Sequence, residues 1–200
     1  METIEDVTIR GEDWYAEALG SRRYVDVTFI DVDLSEATSS GAHFERCVFR
    51  SCRFNSSVHT ATAFVACTFT GCNFFDATLD GCKLTGSVLD GCTLRPMKVV
   101  GGLWRGVTIR AGNLSSLDLA GLDLSESDLS LTDLQGTSLR GVRLSGAVLH
   151  RTDLRRADLR GAELGGVDLT EARLGDTRLD LLGAVILAEQ HGADVDPGTA

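Results

Sequence analysis

In Ser127-Asp128-Leu129-Ser130-Leu131-Thr132-Asp133-Leu134-Gln135-Gly136, a leucine returns every fifth residue, each time behind an aspartate. Extending that register toward the start of the chain gives Ile4, Ile9, Trp14, Leu19, Tyr24, Phe29 and Leu34, and onward from Leu114 to Leu179 it gives fourteen consecutive leucines. The register runs over 36 positions without a break, and 34 of them are apolar. Neither the 3.6-residue period of a helix nor the two-residue period of a half-buried strand generates such a column. A strict internal repeat is the architecture here, and it takes precedence over any local element.

A second column lies two residues before the first: Ala37, Ala42, Cys47, Cys52, Ser57, Thr62, Cys67, Cys72, Ala77, Cys82, Ser87, Cys92, and later Ala147, Thr152, Ala157, Ala162 and Ala172. Its residues are mostly small, so space there is tight. Of the 22 glycines, 14 fall two residues after the central apolar position, where a recurring bend benefits from a missing Cβ. The remaining positions carry most of the Asp, Arg, Ser and Thr and face water. Residues twenty apart are expected to stack, giving ladders such as Phe29-Phe49-Phe69-Leu89 and Phe44-Phe64-Leu84-Trp104.

Composition agrees with one globular unit. The chain has 200 residues, 43% hydrophobic and 24% charged, with only 2 prolines, which excludes disorder over most of its length. No run approaches the roughly 18 apolar residues of a membrane span, and Met-Glu-Thr-Ile-Glu-Asp is no signal peptide, so a cytoplasmic setting is expected. A net charge of -10 argues against direct binding to nucleic acid.

Ala157-Asp158-Leu159-Arg160-Gly161 and Thr132-Asp133-Leu134-Gln135-Gly136 resemble the A(D/N)LXX motif of the pentapeptide-repeat family. The resemblance implies an all-β fold, a right-handed quadrilateral parallel β-helix with four pentapeptides per coil. Thirty-six repeats then make about nine coils, a rod about 43 Å long. The expected division is a β-helix over residues 2–181 and a capping and dimerising helix with its tail over 182–200.

Several features tempt toward chemistry. All six cysteines fall in the small inward column, so they read as packing residues; a zinc site or disulfide is the minor alternative. Among four histidines, only His59 replaces an apolar centre, and Ser39 is the other polar centre, one coil below. A mutually satisfied buried pair follows, because buried polar groups need partners. No nucleophile-base constellation, phosphate loop or dinucleotide motif occurs, so neither enzyme activity nor a cofactor nor a metal is expected. At Arg95-Pro96-Met97 the missing N–H either kinks the rod or marks a tolerated corner.

Charge is banded. Residues 1–45 hold eleven acids and three bases, and 46–110 hold three acids and eight bases. Residues 111–139 carry Asp118, Asp123, Glu126, Asp128 and Asp133 and no base. These five, exposed and locally unneutralised, are the expected partner-binding belt. From Asp180 to Gly192 the repeat gives way to a helix, with Asp180 as N-cap and Gly192 as the stop. Leu181, Leu182, Val185, Ile186 and Leu187 are more apolar residues than one exposed helix face explains, so they are expected to cap the last coil and form a two-fold dimer contact.

Uninterrupted repeats, the Leu94-Arg95-Pro96 break and a terminal helix ending in His191-Gly192 make the chain similar to the MfpA-type, Qnr-like quinolone-resistance group of that family. Such proteins resemble a DNA duplex in width and charge, dimerise through their C-terminal ends and occupy the DNA-binding saddle of DNA gyrase. The resemblance therefore implies gyrase inhibition, or protection from quinolone-like poisons. The alternative is a passive interaction scaffold with an unrelated partner.

Overall fold

The computed structural model describes residues 3–196. The chain winds as a parallel β-helix in which each side pairs with the side twenty residues later. One side stacks Thr3–Glu5, Arg23–Val25, His43–Glu45 and Ala63–Val65. The next stacks Thr8–Arg10, Thr28–Ile30, Val48–Arg50, Thr68–Thr70 and Val88–Asp90. A third stacks Ala18–Gly20, Thr38–Ser40, Val58–Thr60, Ala77–Asp80 and Met97–Val100. The fourth side is held by single bridges, Asp13↔Asp33↔Arg53↔Asn73↔Thr93.

Strand-length pairing makes about five turns, fewer than the nine coils expected from the repeat count. Past Val100 the same register continues as isolated bridges, ending at Asp158↔Arg178, after a break in which neither Thr93 and Asn113 nor Lys98 and Asp118 are bridged. There each side contributes one bridged residue between two tight turns, too short to form a strand.

Packing explains both inward columns. The aromatic ladder is made of parallel rings one strand spacing apart: Phe29–Phe49 at 4.6 Å, Phe49–Phe69 at 4.7 Å and Phe44–Phe64 at 4.9 Å. Rings on adjacent sides meet edge to face, as Phe44–Phe49 does at 5.6 Å. The turn position two residues after each centre has positive φ almost throughout, including non-glycines such as Asp26, Ser56 and Arg156. Glycine is favoured there because a left-handed L-residue costs about 1 kcal/mol. At Gly102, in the small column, steric room is absolute: a Cβ would lie 2.4 Å from the Cys82 carbonyl oxygen.

Ser39 and His59 are both buried, and Ser39 Oγ lies 2.7 Å from His59 Nδ1. The sequence did not reveal the third member, Thr62, whose Oγ1 is 2.7 Å from Ser39 Oγ and 3.2 Å from the Thr60 carbonyl oxygen. With Thr62 donating to that carbonyl, Ser39 donates to Thr62 and His59 Nδ1–H donates to Ser39. His59 Nε2 is then a bare acceptor with no partner among the described residues. Burial alone lowers the imidazole pKa to about 4.

The register also passes through the proline. The Arg95–Pro96 peptide is cis, Asp76 N–H donates to the Pro96 carbonyl at 2.5 Å, and Met97–Val100 pairs residue for residue with Ala77–Asp80. The corner is accommodated without a register shift in the following strand.

Candidate partner-binding surfaces

The expected acidic belt winds around the rod, but two of its expected properties need correction. First, its aspartates are structural as well as acidic. In each, Oδ1 accepts the N–H two residues on: Ala120 by Asp118 at 3.1 Å, Ser125 by Asp123 at 3.1 Å, Ser130 by Asp128 at 3.0 Å and Gln135 by Asp133 at 2.9 Å. These Asx turns shape the corners, as Asp33, Asn73 and Asp158 do elsewhere. Only Asp118 is fully exposed of the four; the side chains of Asp123 and Asp128 are just 13% and 19% accessible.

Second, arginines do neutralise the belt. Arg143 reaches Asp123 at 2.9 Å, Arg110 Nε donates to Asp128 at 2.6 Å, and Arg105 pairs with Glu126. All three lie one coil away, so they are distant along the chain and adjacent in space. Burial pushes the Asp123 carboxyl up, but Ser125 and Arg143 outweigh it and hold its pKa below the usual range. Asp128 is depressed in the same way, with burial opposing and Arg110 and Ser130 prevailing. Asp118 and Asp133 make no salt bridge among the described residues.

The first two coils are less neutralised. Arg22 pairs with Glu17, Arg46 bridges Asp26 and Glu45, and Arg53 holds Asp33 at 2.7 Å, while Glu5, Asp6, Asp13 and Asp31 make no salt bridge among the described residues. Pairs such as Arg46–Asp26 and Arg53–Asp33 join neighbouring coils and so brace the stack.

The terminal helix, Leu181–Gln190, begins at an N-cap whose Asp180 side chain accepts Gly183 N–H at 2.9 Å and Gly161 N–H at 2.7 Å. Gln190 closes the open edge of the last coil: its Oε1 accepts Leu169 N–H at 2.9 Å and its Nε2 donates to the Val167 carbonyl at 2.5 Å. The five apolar residues expected to make a dimer contact do not form one surface. Ile186 and Leu187 pack inward on the core, Val185 is half-buried, and Leu181 and Leu182 are 79% and 66% exposed. Sequence alone could not separate the capping residues from those left over.

Two family models describing pentapeptide repeats match the sequence, one over residues 42–119 and the other, an eight-copy repeat, over 113–151 and 137–176. Together they span about two thirds of the chain. The chain belongs to the pentapeptide-repeat family. The pentapeptide-repeat fold is a right-handed β-helix, which fixes the hand of the coil described above. Full-length QnrB1, a plasmid-mediated fluoroquinolone resistance protein, is similar in fold with a TM-score of 0.56, 17% identity, and coverage of 96% of this chain and 100% of its own. A trypsin-treated variant of QnrB1 matches with a TM-score of 0.53 at 19% identity, covering 97% and 100%. No curated protein sequence gives a significant match.

Among the described residues no helix is long and apolar enough to cross a membrane, and no three or more His, Cys, Asp or Glu side chains converge on a metal-sized centre. What this pentapeptide-repeat protein offers is a braced acidic rod with a capped C-terminal end.

Proposed function

We propose that this protein binds DNA gyrase as a duplex-like rod, inhibiting the enzyme or protecting it from quinolone-like poisons. It acts in the cytoplasm by binding, without catalysis and without contacting nucleic acid itself. A second copy joins through the C-terminal end, where Leu181, Leu182 and Val185 remain for a two-fold contact. The observation that carries this reading is a twenty-residue ladder running from Thr3 to Arg178, shifted once at Gly20 and without a bridge from Thr93 to Asn113 or from Lys98 to Asp118, with unpaired carboxylates displayed along it. The full-length likeness to a fluoroquinolone resistance protein supports it at the level of fold.

Magnitudes narrow the region of contact. B-DNA carries about one charge per 1.7 Å, so 43 Å of duplex holds roughly 25 negative charges. The chain has a net charge of -10, so mimicry is local. Because three of the five belt carboxylates are held by arginines, the N-terminal coils, where Glu5, Asp6, Asp13 and Asp31 make no salt bridge among the described residues, carry the larger unneutralised field.

A supercoiling assay with purified gyrase, with and without a fluoroquinolone, tests the proposal. Dose-dependent inhibition, or rescue from the drug, is expected at micromolar protein. No effect on either reaction refutes it. The neutralised belt favours a second reading, a scaffold for an unrelated partner. Recovery of a different protein, and not gyrase, in a pull-down with the intact chain would establish that alternative.

A further inference from the structure

Two adjacent sides of the rod lose their ladder at one level. On the side that carries Thr93, Phe74 N–H donates to the Thr93 carbonyl at 2.8 Å and Leu114 N–H to the Asp133 carbonyl at 2.9 Å. The bonds between those levels, from Leu94 to Asn113 and from Asn113 to Cys92, are not made among the described residues. On the next side Gly81 N–H donates to Val100 and Gly121 N–H to Arg140, both at 2.9 Å. The intervening bonds, from Val99 to Asp118, from Asp118 to Met97 and from Gly101 to Ala120, are missing in the same way. Met97–Val100 is accordingly the last strand of its sheet.

The other two sides hold these coils together. Trp104 N–H donates to Asp123 at 2.8 Å, Gly106 to Ser125 at 2.8 Å and Ile109 to Asp128 at 2.9 Å. Val148 and Asp168 are also unbridged, but Arg143↔Glu163 and Asp153↔Arg173 join the sides flanking them and pin that gap at both edges. A gap on two adjacent sides has no such restraint, and it opens by rotation about the intact pair.

Exposure marks the same level. From Leu19 to Leu169 every central residue is buried except Val99. From Val27 to Ala157 the small column is buried except at Cys92, Gly102 and Gly112. Surface cavities of about 650 and 320 Å3 enter there, the first lined by Cys92 and Asn113 among others, the second by Lys98 and Asp118. Lys98 and Asp118 stand one coil apart in register, the relation of Asp33 to Arg53 and Asp123 to Arg143, which pair at 2.7 and 2.9 Å. Neither Lys98 nor Asp118 makes a salt bridge among the described residues.

The sequence supplies the wedge. Trp104 is buried in the central column, two sides on from Leu94 and two before Leu114, and so directly across the core from the first open side. Its indole is larger than the leucine that holds this column from Leu114 to Leu179, and overfilling a packed interior forces backbone apart.

We propose that this level is a hinge. The rod passes between the open form described above and a closed form in which the missing ladder bonds and a Lys98–Asp118 salt bridge are made, turning about the Trp104 and Ile109 sides. Closure satisfies backbone groups that otherwise lack protein partners, whereas Trp104 resists it. Packing and hydrogen bonding therefore favour different forms of one element, as a two-state equilibrium requires. Arg95 spans the gap, with Nη1 2.7 Å from Ser115 Oγ, and keeps the halves tethered on the open side. The hinge is a property of the chain and holds whatever partner it meets.

Spin-label distances in the full-length protein test it. One labelled protein carries Ser35→Cys and Gln135→Cys, five coils apart on the open side; the other carries Val25→Cys and Ser125→Cys, five coils apart on the opposite, intact side. Both also carry Cys92→Ser, which removes the one thiol that is not buried. A closed ladder spans about 24 Å in each. A seam wide enough for one water adds about 3 Å on the open side alone. The expected result is a broad or two-peaked distribution for the first pair, reaching about 3 Å beyond a narrow second one. Trp104→Leu should collapse the first distribution to the closed distance. Lys98→Glu, an exposed change that sets like charges across the seam, should shift it to the longer one. Equally narrow distributions for the two pairs overturn the proposal, and so does a first distribution that Lys98→Glu leaves in place. Amide exchange gives a second measurement without substitution: Val99 and Gly101 should exchange about 100-fold faster than Leu79 and Gly81. Equal protection of the two levels overturns the open seam.

Discussion

Replacing His59 by leucine should remove a specific acid sensitivity from the rod. An imidazole in the unfolded chain takes up its proton near pH 6.5, whereas in the folded chain burial delays it to about 4. The unfolded state therefore binds more protons between these values, and folding stability falls as the pH drops through that window. Stability is unaffected by His59 above pH 6.5, is reduced by about 2 kcal/mol at pH 5, and levels off below 4 at a loss of about 3 kcal/mol, since each tenfold change in proton affinity is worth about 1.4 kcal/mol. Leucine has no such dependence. It does not strand Ser39, whose hydroxyl keeps Thr62 as a partner at 2.7 Å, so the variant should lie within about 1 kcal/mol of the native protein at pH 7.5. Urea unfolding of both proteins at pH 7.5, 6.5, 5.5 and 5 isolates the effect as a difference between two curves. The carboxylates titrate alike in both and cancel. A native-minus-variant difference that stays flat from pH 7.5 to 5 would refute the reasoning, and would mean that His59 gains a proton acceptor when charged.

Other outcomes follow from the same geometry. The quadruple change of Asp118, Asp123, Asp128 and Asp133 to asparagine keeps an Asx-turn acceptor at each corner but breaks the pairs with Arg143 and Arg110; a small fall in Tm is expected, with gyrase inhibition weakened much less than by neutralising Glu5, Asp6, Asp13 and Asp31. Loss of inhibition with the belt variant alone would return the contact to the belt. Gln190→Ala removes two hydrogen bonds from the last coil edge and should cost about 1–3 kcal/mol, read by urea unfolding; an unchanged midpoint would show that water replaces the amide. Leu181→Glu with Leu182→Glu should convert a dimer to a monomer in sedimentation without altering the far-ultraviolet spectrum, and a native protein that is monomeric at micromolar concentration would remove the two-fold contact altogether.

The period made the fold legible because a five-residue repeat leaves no alternative register: Leu114 to Leu179, read in steps of five, places every inward side chain. The Ser39–His59 pair was visible for the same reason, as two exceptions one coil apart. Thr62 was hidden because it sits in the small column, where a hydroxyl looks like a small residue. The belt misled for a geometric reason. Proximity was read along the chain, where no arginine lies between Arg110 and Arg140, whereas the coil brings Arg143 to Asp123 and Arg110 to Asp128. Neighbours separated by about one coil in sequence, roughly 18 to 22 residues, are where these pairs are found. The aspartates' backbone role also had a signal, an acid recurring before each bend. The helix resisted because amphipathic capping and self-association both draw on the same apolar residues.

The ladder that joins a residue to one twenty positions later along most of the rod also dictates how the rod comes apart under load. Tension applied along the axis tests one interface at a time, since each coil grips only its two neighbours. A stretched molecule should thus lengthen in steps, each releasing one coil of about 20 residues and adding about 65 Å of contour once its ~4.8 Å rise is subtracted. The cross-coil salt bridges, such as Arg53–Asp33 and Arg143–Asp123, make those steps unequal and sensitive to ionic strength. The structure is a chain of modest links in series, and its weakest interface alone sets the force at which it begins to yield.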